Sequence, residues 1–224
     1  DLMRVNRSFI VKRSATARRE KLDALKKLSR YIRHSISQDK VSIWIAQAEG
    51  RAKKGCDRTE TALLKMLALS KAEGQNFAAA TGELNLIPVS ISYEYDPCDA
   101  DKARAHHLAQ QGTAYVKDKF EDLDTIQKGI LGYKGRIHVH FGQPVGDRFE
   151  NADALAAEID RQIYTHYRLF PTNIIAWQMQ GNTDGLDDLK QQWPNEDWSN
   201  AQRSFQSHID QIPADHRQIV IDAY

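Results

Sequence analysis

Apolar positions along the chain recur with two periods. Over 16–34, "TARREKLDALKKLSRYIRH", Leu22, Leu25, Leu28, Tyr31 and Ile32 fall three and four residues apart. That spacing gathers them on one side of a helix and leaves a basic outer face. Comparable spacing predicts helices over 58–74, stopping near Gly74, over 101–131 as one or two segments, and over 151–169. Between them stand short runs of strand type: Phe9-Ile10-Val11, "VSIWIAQ" at 41–47, "LNLIPVSISYEY" at 84–95 and the alternating "GRIHVHFGQPV" at 135–145. Strands separated by helices predict an α/β domain over 1–150 with a mostly parallel core sheet flanked by helices. From about residue 171 the chain turns acidic and polar with scattered Trp, so 151–224 is expected to be a helical C-terminal extension. The chain starts just ahead of a strand and without Met, and the domain is expected to have a beginning upstream of Asp1.

Charge changes this picture more than composition does. The net charge of the 224 residues is +1, yet residues 1–71 hold 18 Lys and Arg against 7 Asp and Glu, and residues 72–224 hold 13 against 23. A basic third on a neutral chain points to an anionic partner: phosphate, nucleic acid or membrane headgroups. No apolar run reaches the ~18 residues of a membrane span, and no signal peptide is evident. Two cysteines, Cys56 and Cys98, make no disulfide framework and suit a reducing compartment.

The densest chemistry lies in "IAQAEGRAKKGCDRT", residues 45–59. Gly50 and Gly55 have the spacing of a phosphate loop, but Cys56-Asp57 stands where such a loop needs Lys and a hydroxyl, which rejects that reading. Three stretches taken in order say more. "SFIVKR" ends an apolar run with Arg13, "WIAQAEGRAKKG" ends one with Glu49-Gly50-Arg51, and "LIPVSISYEY" opens one with Pro88. Together they resemble the glycerolipid acyltransferase superfamily, the glycerol-3-phosphate and 1-acylglycerol-3-phosphate O-acyltransferases. That family carries, in order, a His-x-x-x-x-Asp block, an apolar strand ending in Arg, a Glu-Gly with a nearby Arg, and an apolar strand with a Pro-Val pair. The likeness covers roughly residues 5–150, and "RIHVHFGQPV" resembles the strand that closes the domain. Two departures stand out: Arg7 takes the place of a usual Gly, and Arg51 comes one residue early, which leaves the register between Arg51 and Lys53 open.

The resemblance implies a fatty acyl transfer from acyl-CoA or acyl carrier protein to a glycerol phosphate hydroxyl, with no cofactor and no metal. Arg13 and Arg51 would hold the acceptor's phosphate through charge-assisted, bidentate contacts. Glu49 would orient the acceptor hydroxyls or an Arg, with Gly50 and Pro88 completing the substrate-binding set. The catalytic His-x-x-x-x-Asp block would precede residue 1. One such spacing does occur, His34 to Asp39 in "HSISQD", but it falls after the second block and reads as a coincidence. His138 and His140 stand two apart on one strand with no third ligand at metal-binding spacing. His106 and His107 read as solvated positions on a polar helix.

Two other functions compete. A nucleic-acid module would interleave its cations with stacking aromatics, but residues 1–71 offer only Phe9, Tyr31 and Trp44. A membrane-surface module would use the basic helix at 16–34. The second merges with the acyltransferase reading, which implies a peripheral protein on the cytoplasmic side of an anionic membrane and no nucleic acid partner.

Overall fold

The computed structural model describes residues 17–47, 56–112 and 120–224. In chain order they form α1 (Arg18–Ser37), α2 (Thr61–Leu67) continued by a 3₁₀ turn (Ala68–Ser70), α3 (Phe77–Gly82), β1 (Val89–Tyr93), α4 (Asp99–Gln110), α5 (Glu121–Leu131), β2 (Ile137–Phe141), α6 (Ala152–Thr165), α7 (Pro171–Met179), α8 (Leu186–Gln191), α9 (Trp198–Asp210) and α10 (Arg217–Ile221). The chain divides into two units. The first takes Asp1–Gly50, Arg58–Val89 and Phe141–Thr165; the second takes Arg51–Asp57, Ser90–His140 and His166–Tyr224.

In the first unit, the helical spacing of α1 buries Ile32 and brings Leu28 and Ile36 against Leu64, Met66 and Leu67 of α2 and Leu155 and Ala156 of α6. Leu22 and Leu25, one to three turns earlier, are exposed. Polar groups stitch the same packing. The Ser29 hydroxyl donates to the Leu67 carbonyl at 3.0 Å, and Arg33 donates to the Ser70 hydroxyl at 3.0 Å and the Ala80 carbonyl at 2.8 Å. Arg33 also pairs with Glu83. One cation of the basic helix is therefore structural.

The expected mostly parallel core sheet is not present among the described residues. β1 and β2 form a two-stranded antiparallel sheet. In the second unit the Glu94 and Tyr95 N–H groups donate to the carbonyls of Arg136 and Lys134, so the numbering rises on one strand as it falls on the other. The helices between the strands suggested a parallel crossover, but a connection of about forty residues that contains two helices can return the chain in either direction. "VSIWIAQ" is irregular and pairs with no strand among the described residues. Only Ile43 of this run packs on the first unit's core, while Val41, Trp44 and Ile45 are exposed. An apolar run becomes a strand only where a neighbouring strand takes its backbone groups. Phe9-Ile10-Val11 lies outside the described residues.

The core of the second unit gathers Phe205 and Ile209 of α9, Ile175 and Ala176 of α7, Val220 and Ile221 of α10, and Ala103 of α4. Its last residue is built in. The Tyr224 hydroxyl donates to Asp99 Oδ2 at 3.0 Å and accepts the Asp96 N–H at 3.0 Å. His208 Nε2 reaches the same Asp99 oxygen at 2.6 Å. Burial and the Asp99 charge push the Tyr224 hydroxyl's pKa far up. Among the described residues no helix is long and apolar enough to cross a membrane.

Candidate functional site

Arg13, Glu49, Gly50 and Arg51 lie outside the described residues. The neck from which the 48–58 segment leaves and returns is described, and it is firmly built. Asp160, on α6, accepts three hydrogen bonds at one carboxylate oxygen, Oδ1. They come from the Thr59 N–H at 2.9 Å, the Thr59 hydroxyl at 2.6 Å and the Gln47 side-chain amide at 3.1 Å. The Glu60 N–H closes the neck by donating to the Gln47 carbonyl at 3.1 Å. Thr59 is buried, and α6 is itself seated by Ala152, Leu155 and Ala156. In sequence, Glu49, Arg51, Lys53 and Lys54 fall between Gln47 and Thr59.

Pro88, the one described member of the expected set, is buried, and its carbonyl accepts the Gly142 N–H at 2.8 Å. The next N–H, of Gln143, donates to the Gln162 side-chain oxygen at 2.8 Å. Gln162 in turn donates to Glu158 at 2.9 Å, and Glu158 also pairs with Arg161 at 2.7 Å. These donors, Arg161 first, pull the Glu158 carboxyl down to about 2. One helix therefore secures two of the candidate stretches, the neck through Asp160 and the Pro88 strand end through Gln162.

Sequence reasoning missed both residues, though a signal was present. Asp160 lies four residues after Ala156 and next to Ile159, so it falls on the apolar stripe of α6. A carboxylate at a core-side position needs partners, and here it finds the neck.

Other candidates fare less well. His34 and Asp39 do approach, with Nε2 and Oδ1 3.5 Å apart, but their side chains are 65% and 51% exposed. The helix end explains the approach, since the Gln38 and Asp39 N–H groups both donate to the His34 carbonyl. His138, His140 and His166 form a row of stacked rings, with His140 and His166 centroids 3.7 Å apart, so they present faces to one another. A shallow concavity of about 220 Å³ in the second unit is bordered by Lys102 and Lys134. It is smaller than the roughly 300–1,000 Å³ typical of ligand sites. Its cations are also engaged: Lys102 by Asp96, and Lys134 by the carbonyls of Ile130 and Gly132. His107, expected to be solvated, is instead mostly covered, with its side chain 20% exposed.

No protein-family model, no curated protein and no solved structure matches the chain. The likeness to glycerolipid acyltransferases therefore rests on the residues of the ordered stretches.

Proposed function

We propose that the chain is part of an O-acyltransferase that moves a fatty acyl group from acyl-CoA or acyl carrier protein to a glycerol phosphate or lysophosphatidate hydroxyl. The observation that carries this reading is the clamped neck: Asp160 fixes both ends of the segment holding Glu49, Gly50, Arg51, Lys53 and Lys54. A phosphate dianion calls for several cations held from a fixed base, and a carboxylate among them can order the cradle. Arg13, by its place in the resemblance, joins the same phosphate, and Pro88 shapes the neighbouring strand end. The acyl donor needs no cofactor.

The surface of α1 fits a peripheral enzyme of an anionic membrane, on its cytoplasmic side. Exposed Leu22 and Leu25 lie beside Arg18, Arg19 and Lys21, which combines apolar insertion with attraction to headgroups.

Calorimetric titration with glycerol 3-phosphate and with lysophosphatidate tests the acceptor site directly. Arg51→Ala is expected to weaken acceptor binding roughly ten- to a hundred-fold, the equivalent of about 1.5–3 kcal/mol for a charge-assisted contact. Loss with Lys53→Ala but not with Arg51→Ala moves the phosphate ligand to Lys53. Unchanged binding in both variants removes the phosphate site. Thioester turnover abolished by His34→Ala would instead make His34 and Asp39 the catalytic pair.

A further inference from the structure

A second cluster, in the other unit, has the donor set of a metal site. His107 stands in the last turn of α4, and Asp215 and His216 are adjacent just before α10. Both imidazole Nε2 atoms converge on one carboxylate oxygen, Asp215 Oδ2, at 3.5 Å from His107 and 3.9 Å from His216. The three ligand atoms all lie within 4.8 Å of one another. The two imidazole side chains are mostly covered, at 20% and 13% exposure, while Asp215 opens to solvent at 62%.

These separations are too long for hydrogen bonds, which for N–H···O run from about 2.7 to 3.2 Å. They are close to the edges of a coordination polyhedron. Zinc bonds of about 2.0–2.1 Å at tetrahedral angles set ligand atoms about 3.3–3.5 Å apart. The spread of up to 4.8 Å closes to that geometry with side-chain movements of about an ångström, shared between the two imidazoles and the exposed Asp215. Gln111 stands one turn beyond His107, with its side-chain amide 2.8 Å from His107 Nε2. It is exposed and can swing aside or turn its amide oxygen inward. Two imidazoles and one carboxylate are ligands of borderline-soft divalent ions.

We propose that His107, Asp215 and His216 bind a divalent transition-metal ion of the zinc type, with water or Gln111 in the fourth position. The ion would tie the end of α4 to the start of α10. Those two helices already share the core through Ala103, Val220 and Ile221, so the bound metal acts as a clip on the second unit. This site is independent of the acyltransferase reading.

The test uses tag-free protein, with zinc and cobalt(II) as probes. Calorimetry is expected to give one zinc site, and cobalt(II) to give the strong visible bands of a tetrahedral ion. The melting temperature is expected to rise with zinc. Loss of an outer-sphere partner of a metal ligand typically costs about 10–100-fold in affinity, so His107→Ala and His216→Ala are each expected to lose at least about 100-fold. Circular dichroism of the metal-free variants confirms that they fold. His138→Ala/His140→Ala, which removes the other histidine pair, is expected to bind zinc as the parent does. Zinc binding that survives His107→Ala/His216→Ala, or that is lost with His138→Ala/His140→Ala, overturns the assignment. So does the absence of a one-to-one site in the parent.

Discussion

The two units use their cations in opposite ways. In the second unit several described cations are tied to carboxylates of the fold. Arg136 lies between Glu94 and Glu196, at 2.5 and 2.7 Å, and stacks over Trp193 at 4.5 Å. Lys128 pairs with Asp101, and Lys102 with Asp96. In the first unit Arg33 plays such a part, but Arg18, Arg19, Lys21, Lys27 and Arg30 of the same helix stay on the surface. Charge that faces solvent is available to a ligand, while charge that satisfies buried carboxylates is not. The exposed cations of α1 belong to the first unit and the ion-paired Arg136, Lys128 and Lys102 to the second, and this contrast can be broken by mutation.

The largest effect is expected at Arg136. Its Nε and Nη2 donate to Glu94, which is 8% exposed, and the Arg136 N–H donates to the same carboxylate at 2.8 Å. Arg136→Ala leaves that carboxylate with its backbone donor and little else. Breaking a fully buried pair costs about 3–5 kcal/mol; with the guanidinium side chain 39% exposed, about 2–3 kcal/mol is expected. Urea denaturation checks it. Arg136→Lys keeps the charge without the planar fork and is expected to recover only part of the loss. A change below about 0.5 kcal/mol would mean that the second unit's ion pairs are surface decoration and that the contrast fails.

Next comes the neck. Asp160→Ala strands the buried Thr59 hydroxyl and N–H, at an expected cost of about 1–3 kcal/mol. Trypsin is expected to cut faster after Arg51, Lys53 or Lys54 in this variant, because the ends of the segment are released. Asp160→Asn retains an acceptor oxygen and is expected to lose less on both measures. Equal cleavage in parent and Asp160→Ala would show that Asp160 does not hold the neck.

The helical stretches were legible because their apolar spacing is local: Leu28 and Ile32 face the core where the period places them. The sheet was not legible, because strand direction is set by partners far away in sequence. Nothing in "GRIHVHFGQPV" states that Arg136 will face Glu94 in an antiparallel register. The candidate site was legible only as chemistry. The cation-rich segment could be read from its residues, but its anchor, Asp160, is about a hundred residues downstream and became visible only as a carboxylate on an apolar stripe. The His107–Asp215–His216 cluster hid for the same reason, since its parts come from opposite ends of the second unit's sequence.

A smaller effect separates the units by pH. Glu158, held down to about 2, favours the folded state above its ordinary carboxylate pKa, and that stability fades as pH falls from about 4 toward 2. Arg161, its main partner, is 61% exposed, so solvent screening keeps the contribution small. Tyr95 of the second unit behaves in the opposite sense. Burial first, then the Glu94 charge, pushes its hydroxyl up to about 12. The unfolded tyrosine ionises near 10, so stability falls as pH rises from about 10 to 12. Glu158→Gln is expected to flatten the acid side of the stability profile and Tyr95→Phe the alkaline side. Flattening of the wrong side by either variant would refute the assignment.

The smallest effect on stability is expected where the functional effect is expected to be largest. Arg19 and Arg30 are exposed and lie three turns apart on one face of α1. Arg19→Gln/Arg30→Gln is expected to change folding stability by no more than about 0.5 kcal/mol, as surface substitutions usually do. On vesicles containing phosphatidylserine, each cation near the surface contributes about 1 kcal/mol, so removing two is expected to weaken binding by about thirty-fold. The attraction acts over a screening length of about 10 Å at 0.1 M salt, and raising the salt should therefore erase the difference between parent and variant. A variant that loses stability would mean these cations serve the fold, as those of the second unit do. A variant that keeps its stability and binds neutral and anionic vesicles equally, at any salt, would detach α1 from the membrane and leave the clamped 48–58 segment as the anionic partner's remaining site.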